Sequence, residues 1–114
     1  MSWKEETALR LVLPSDGALH ESTLNFFSAC GLSVLRPNSR RYTGTIPAIS
    51  GVEVLFQRTA DITEKVEEGS AELGVTGLDR LLEYRHDDHT VATLIDDLRY
   101  GQADFVLAVP NSWL

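Results

Sequence analysis

The sequence predicts an α/β fold in which helices flank a mainly parallel sheet. Short apolar runs alternate with segments of helical periodicity along most of the chain, and this alternation favours parallel strands joined by crossover helices. The chain has 114 residues, of which 43% are hydrophobic and 24% are charged. These values are ordinary for a folded domain, so a compact core is expected.

In the first half of the chain, one helix is predicted among apolar strands. The run ALRLVL is closed by Pro14 and is typical of a buried strand. Apolar residues then recur every three to four positions up to Cys30, and Gly31 supplies a helix stop. The predicted elements are strand Ala8–Leu13, helix Ala18–Cys30, strand Leu32–Leu35 and strand Gly51–Gln57.

In the second half, two helices alternate with three strands. Asp61 is interpreted as a helix N-cap, because Glu64 three residues later can complete a capping box. Thr76 and Gly77 are interpreted as a tight turn between a strand and a short helix. The predicted elements are a helix from Asp61 to near Gly69, strand Glu72–Val75, helix Leu78–Tyr84, strand Val91–Leu98 and strand Asp104–Val109.

The composition argues against several classes of function. The formal net charge of −7, without a basic stripe, argues against a nucleic-acid-binding surface. No run approaches about 18 apolar residues, so no membrane span is predicted. The single cysteine, Cys30, cannot form an internal disulfide, and the first residues do not resemble a signal peptide. We therefore expect a cytoplasmic protein.

Two strand-to-helix turns have the chemistry of a ligand site. In an open α/β sheet, ligands bind at the carboxyl ends of the strands, where free backbone amides converge. Each turn carries a glycine, which lets a ligand approach the backbone closely. Ordinary turns of the same composition are the alternative, because glycine turns are common. The candidate residues are Ser15, Asp16 and Gly17 in the first turn, and Thr76, Gly77 and Asp79 in the second.

Three arginines are candidate anion ligands in this acidic chain. Arg40 and Arg41 form a basic pair, and a guanidinium can hold phosphate through two hydrogen bonds. Arg58 lies between a strand and a helix, where it can face the same edge of the sheet as the two turns. The alternative for Arg40 and Arg41 is a solvated loop pair.

Other polar clusters are not interpreted as sites. The segment His86–His89 (HDDH) lies in a polar loop without helical spacing or a cysteine partner, so no metal site is predicted. Asp96 and Asp97 are adjacent in a predicted strand and therefore point to opposite faces. Cys30 is predicted to be a core thiol, since it lies on the apolar face of a helix.

Four segments, in a consistent order and spacing, carry a family resemblance. They are Leu11–Thr23 (LVLPSDGALHEST), Ser39–Tyr42 (SRRY), Val54–Ile62 (VLFQRTADI) and Val66–Leu82 (VEEGSAELGVTGLDRLL). Together they resemble ATP phosphoribosyltransferase, the first enzyme of histidine biosynthesis, across about Leu9 to Pro110. The fourth segment is the most specific.

The resemblance implies a fold like that of the type II periplasmic binding proteins, with two domains around a cleft. Residues 1–98 would form the first domain, and residues 99–114 a crossover strand toward a second domain beyond this chain. Enzymes of the family join ATP to phosphoribosyl pyrophosphate, with Mg²⁺ on the substrate phosphates, and release pyrophosphate.

The resemblance also implies roles for the candidate residues. Arg40 and Arg41 would be catalytic and face the pyrophosphate. The turns at Ser15–Gly17 and Thr76–Gly77 would offer backbone amides, with Arg58 at the same edge. Asp79 would orient a ribose or adenine group.

The chain departs from the family pattern at cationic positions. Where the first turn of the family carries Lys and Arg, this chain has Ser15 and Ala18, and Asp104 stands where Arg or Lys is frequent. The family's loop for phosphoribosyl pyrophosphate lies in the second domain, so the 114-residue chain is predicted to be an inactive N-terminal fragment. The alternatives are a non-catalytic binding or regulatory relative, and a solute receptor of the periplasmic binding class.

Partners follow from the same resemblance. A homo-oligomer is expected, and a separate regulatory subunit is a candidate partner. A domain separated from the rest of its chain exposes strand edges, so the strand Asp104–Val109 is expected to pair between chains.

Overall fold

The elements form a layered α/β structure, seen in a computed structural model that describes residues 9–15, 17–38, 40–85, 91–95, 98 and 105–114. The strands are β1 Leu9–Pro14, β2 Thr43–Thr45, β3 Val52–Gln57, β4 Leu73–Gly77, β5 Val91–Ile95 and β6 Phe105–Pro110. The helices are α1 Gly17–Ala29, α2 Thr59–Glu67 and α3 Leu78–Tyr84, and a 3-10 turn covers Asn111–Trp113.

The six strands form one sheet in the order β2-β3-β1-β4-β6-β5. The predicted α/β class is confirmed, and β1 pairs in parallel with both β3 and β4, as predicted for these three strands. The outer pairings differ from the mainly parallel sheet that the sequence predicts, because all three of them are antiparallel. β2 is antiparallel to β3, and β6 is antiparallel to both β4 and β5. Four strands therefore point one way, and β2 and β6 point the other way.

The helices cover opposite faces of the sheet, because side chains alternate along each strand. Leu13 of β1 belongs to one core cluster with Phe27 of α1. Val12 points to the other face and packs with Ile62 of α2 and Leu81 of α3. The result is three layers, with α1 on one side of the sheet and α2 and α3 on the other.

Gly74 explains how closely α2 approaches the sheet. A Cβ atom at this position would lie 2.9 Å from Cγ2 of Ile62, and 3.0 Å from methyl groups of Val12 and Val66. Real Cβ atoms essentially never show the first distance, and the other two are tighter than most real Cβ contacts. The glycine in β4 therefore has a packing role.

Three predictions at the surface and edges are wrong. The segment Leu32–Leu35 is not a strand, because only Leu35 pairs, in an isolated bridge to Thr45. Cys30 is exposed, since α1 ends at Ala29 and the following glycine turns the chain with φ of 79°. The strand β6 lies between β4 and β5, so neither of its edges is open to a second chain.

Two predicted features around the helix starts are also corrected. Thr76 and Gly77 end the strand β4 and do not form a turn. Asp61 is not the N-cap of α2, because the helix begins at Thr59 with Arg58 as its N-cap. Asp61 lies in the first turn of α2, where its negative charge still complements the positive end of the helix dipole.

Some predicted features lie outside the described residues. They are Asp16, the segment His86–His89, Asp96, Asp97 and Asp104. Among the helices that the structure describes, none has the length and apolar character needed to cross a bilayer.

Candidate functional site

A cavity of about 870 Å³ opens at the carboxyl ends of β1 and β3. Parallel pairing brings these two strand ends to the same edge of the sheet, which is where ligands bind in open α/β sheets. The turn after β1, the start of α1, the loop before β2 and the start of α2 form its walls. The residues that line it are Ser15, Gly17, His20, Arg36, Tyr42, Phe56, Gln57, Arg58 and Asp61.

The turn after β1 is held against the end of β3. The Ser15 amide donates a hydrogen bond of 2.9 Å to the Gln57 carbonyl. Gly17 has φ of 71°, a conformation that other residues adopt only with strain. A Cβ added there would have no atom within 4 Å, so the backbone is open to a ligand on this side.

His20 is fixed by two contacts in the first turn of α1. Its Nδ1 lies 2.8 Å from the Pro14 carbonyl oxygen, and its ring meets that of Phe56 edge-on, with centroids 5.4 Å apart. A carbonyl oxygen only accepts hydrogen bonds, so Nδ1 carries a proton. The second ring nitrogen, Nε2, has no partner in the part of the chain that the structure describes.

Arg36 holds a positive charge against the same phenylalanine. Its guanidinium carbon lies 4.4 Å from the centroid of the Phe56 ring, which is a cation–π contact. Its Nε donates a hydrogen bond of 2.6 Å to the Arg41 carbonyl, and this bond ties the neighbouring loop to the cavity wall. Phe56 itself is fully buried, so the platform beneath Arg36 is rigid.

Arg58 is the more exposed cation of the cavity. Its Nε lies 3.7 Å from Oδ2 of Asp61, and 79% of its side chain is exposed. Exposed ion pairs of this kind contribute only about 0–1 kcal/mol. Arg58 can therefore exchange Asp61 for an anionic ligand at little cost. Two arginines against one carboxylate give the described lining a positive balance.

The structure brings together three of the predicted site residues. Ser15, Gly17 and Arg58 all line the cavity. Arg40 and Arg41 do not line it, and both are exposed. Their loop is nevertheless adjacent, because Arg36 is bonded to the Arg41 carbonyl.

The second predicted turn lies beside the first at the same sheet edge. β1 and β4 are in register at Val12 and Gly74, so continuing the pairing by two residues places Thr76 next to Pro14. Thr76 is 1% exposed, and its hydroxyl has no hydrogen-bond partner among the described residues. Gly77 is the N-cap of α3. The side chain of Asp79 lies outside the described part of the structure, as does Asp16.

Sequence reasoning missed His20, Arg36 and Tyr42 as lining residues. His20 lies in the first turn of a helix that follows a strand, which is a signal for a place at the ligand edge. Arg36 was obscured because the preceding residues were predicted to be a strand. In the structure Leu35 instead forms an isolated bridge to Thr45 of β2, and the next residue, Arg36, lines the cavity.

A family comparison identifies the family of the chain. The sequence profile described as HisG: ATP phosphoribosyltransferase matches residues 58–114, which is half of the chain. The chain belongs to the ATP phosphoribosyltransferase family. The resemblance carried by the four sequence segments is thereby confirmed.

Individual relatives of the family match nearly the whole chain. An ATP phosphoribosyltransferase of Nitrobacter winogradskyi is 38% identical over 109 residues, covering 95% of this chain and 34% of the relative. One from Methanococcoides burtonii is 41% identical, covering 90% and 34%. The chloroplastic ATP phosphoribosyltransferase 1 of Arabidopsis thaliana is 35% identical, covering 94% and 26%. The chain thus spans about a third or less of these relatives' length.

A solved structure agrees with the fold. A chain of the ATP phosphoribosyl transferase (HisG:HisZ) complex from Thermotoga maritima superposes with a TM-score of 0.58 at 22% identity. The match covers 77% of this chain and 39% of that one. At this identity the likeness shows the fold, which is the type expected from the family resemblance.

Proposed function

We propose that this chain is the N-terminal part of an ATP phosphoribosyltransferase, which joins ATP to phosphoribosyl pyrophosphate in the first step of histidine biosynthesis. Family membership supports the reaction, and the arginine-lined cavity at the carboxyl edge is the observation that carries the proposal. Residues 1–98 would form the first domain. Residues 99–114, which include β6, would lead to a second domain.

The reaction requires stabilisation of a leaving anion. A bond forms between N1 of adenine and the anomeric carbon of the ribose, while the bond from that carbon to pyrophosphate breaks. Negative charge grows on the pyrophosphate, so fixed cations stabilise the transition state more than the ground state. In this proposal Arg36 and Arg58 bind phosphate in the cavity, and Arg40 and Arg41 act from the adjacent loop as catalytic cations.

The remaining predicted residues would position the substrates. The turn Ser15–Gly17 would offer backbone amides, and its glycine conformation leaves room for a phosphate. Thr76 and Gly77, at the neighbouring strand end, would contact the same ligand, with Asp79 on the ribose or adenine. Mg²⁺ would be carried by the substrate phosphates. The phosphate oxygens that do not bind Mg²⁺ would accept hydrogen bonds from the arginines of the cavity.

Assembly and location are part of the proposal. The structural relative from Thermotoga maritima is a HisG:HisZ complex. We propose that the parent protein forms a homo-oligomer, with a separate regulatory subunit as a candidate partner. A biosynthetic enzyme of this kind would work in the cytoplasm.

A binding experiment tests the role of the cavity. Mg²⁺-pyrophosphate and Mg²⁺-ATP are titrated into the ¹⁵N-labelled 114-residue chain, and amide shifts are followed by NMR. We expect the largest shifts at Gly17 and Arg58, and affinity weakened about fivefold by Arg58→Gln, the effect of one exposed charge contact. Arg80→Gln is the matched control, because Arg80 lies on α3 and contacts Tyr84. Equal affinity of the two variants would contradict the proposal.

A second candidate is a non-catalytic relative that binds the same ligands. It is favoured by one observation, the uncharged Ser15 where the family's first turn is cationic. The two candidates predict different activities for the full-length protein. Ligand binding without formation of phosphoribosyl-ATP by the full-length protein would support the non-catalytic alternative.

A further inference from the structure

His20 lies in the cavity with one ring nitrogen used and the other without a described partner. Nδ1 donates to the Pro14 carbonyl at 2.8 Å, and the edge-on contact with Phe56 sets the plane of the ring. These two contacts fix the tautomer and leave Nε2 as the ring nitrogen available to a ligand.

The charges around His20 favour an anion beside it. The loop before β2 contributes Arg36 and Tyr42 to the cavity, and the start of α2 contributes Arg58 and Asp61. On α1 itself the next residue, Glu21, is exposed. Asp16 lies outside the described residues. With a neutral imidazole the described lining carries a net charge of +1, and with a protonated one it carries +2, which matches a phosphate dianion.

We propose that His20 is an anion-binding residue of this cavity, which donates from Nε2 to a phosphate group and makes binding stronger as the pH falls. The inference rests on the proposed function, because it takes the cavity as the site of a phosphate-bearing ligand. In this chain His20 supplies a third cation where the first turn has the uncharged Ser15. It acts by binding and positioning, and no step of bond formation is assigned to it.

Sulfate is the probe that isolates the imidazole, because its charge does not change between pH 5.5 and 8. Sulfate is titrated into the 114-residue chain at both pH values and constant ionic strength, with binding followed by NMR. We expect affinity to rise about fivefold at pH 5.5, the size of one added charge contact at a partly exposed site. The same titration should shift the Nε2 resonance of His20 in ring ¹H–¹⁵N spectra.

Two kinds of variant separate His20 from general charge. His20→Asn keeps an amide donor near the position of Nδ1 but removes Nε2, so the rise in affinity at low pH should be lost. His86→Asn and His89→Asn remove the other two histidines of the chain and should keep the rise. The ring spectra of the wild-type chain test the proposal even if His20→Asn does not fold.

The outcomes distinguish this inference from the function on which it rests. If Arg58→Gln weakens sulfate binding but His20→Asn keeps the full pH dependence, the cavity binds anions and the role of His20 is refuted. An unchanged Nε2 resonance at saturating sulfate would refute it as well. If the wild-type chain binds neither sulfate nor Mg²⁺-pyrophosphate at either pH, both the inference and the proposed anion site fail.

Discussion

At the scale of single residues, Phe56 joins two walls of the cavity, because its ring contacts both His20 of α1 and Arg36 of the loop before β2. Gly17 and Arg58 were predicted from their positions after strands, and both line the cavity. Arg36 was not predicted, because its contact with Phe56 depends on the path of the loop beside β2. Sequence spacing does not indicate this path, because the preceding segment, Leu32–Leu35, is not a strand and has no regular direction.

The basic pair beside the cavity gives a prediction for turnover. In the full-length enzyme, Arg40→Ala or Arg41→Ala should lower the single-turnover rate about a hundredfold, since one lost transition-state contact costs roughly 3 kcal/mol. Thermal midpoints should stay near that of the wild type, because both residues are exposed. Arg80→Ala is the control. Full rates in both variants would show that the pair is only a solvated part of the loop.

A second residue-scale prediction concerns the ion pair of Arg10 and Glu72, at the opposite edge of the sheet from the cavity. The Arg10 amide and Nε donate to Oε1 of Glu72 at 2.7 and 3.0 Å. Burial opposes ionisation of Glu72, but the hydrogen bonds and charge of Arg10 outweigh it and hold the pKa below its ordinary value of 4.5. The pair therefore stabilises the fold above about pH 4.5, and this contribution is lost as the pH falls through the lowered pKa.

Glu72→Gln should therefore destabilise the chain by about 1 kcal/mol at pH 7, an amount reduced by the partial exposure of Arg10. The difference from the wild type should shrink when the pH is lowered from 5 toward 3. Urea unfolding at several pH values measures both effects. Glu83→Gln, at an exposed position of α3, is the matched control. A difference that stays constant with pH would contradict the assignment to this carboxylate.

At the scale of elements, the segment Val66–Leu82 was the most informative part of the sequence. Its residues have two different roles in the structure. Gly74 is required by packing, since α2 lies directly over β4 there. Gly77 and Thr76 lie at the carboxyl end of β4, although they end a strand instead of forming a turn. The alternation of apolar residues predicted where these elements lie, whereas the exact end of a strand depends on its neighbours in the sheet.

The contact between α2 and β4 gives an element-scale prediction. Gly74→Ala should destabilise the chain by about 1–3 kcal/mol, because the new methyl group overlaps the side chains of Ile62 and Val66. Val66→Ala alone should also destabilise it, by about 2 kcal/mol, because it leaves a cavity. The double variant should lose less than the sum of the two, since the smaller residue makes room for the added methyl. Additive losses in urea unfolding would show that the two sites do not share this space.

At the scale of the whole molecule, the sequence predicted the class of fold but not the arrangement of its outer strands. The central order β3-β1-β4 is compatible with parallel strands joined by helices. Such crossover connections are nearly always right-handed, which limits the possible arrangements. The placement of β6 between β4 and β5 could not be predicted, because strand patterns do not distinguish a parallel partner from an antiparallel one. As a result β6 begins beside Gly77, at the edge of the sheet where the cavity opens.

The last prediction concerns activity of the 114-residue chain, which spans 34% of the length of its relative from Nitrobacter winogradskyi. This chain should bind Mg²⁺-pyrophosphate but should not form phosphoribosyl-ATP. Joining two substrates depends on holding both in reacting geometry, an advantage worth about 7–11 kcal/mol. The family resemblance implies that the loop for phosphoribosyl pyrophosphate lies in a second domain. A coupled assay at saturating ATP, phosphoribosyl pyrophosphate and Mg²⁺ measures this, with a full-length family enzyme as the positive control. Retained pyrophosphate binding shows that the chain is folded, so turnover by the purified chain would mean that the edge described here carries the whole reaction.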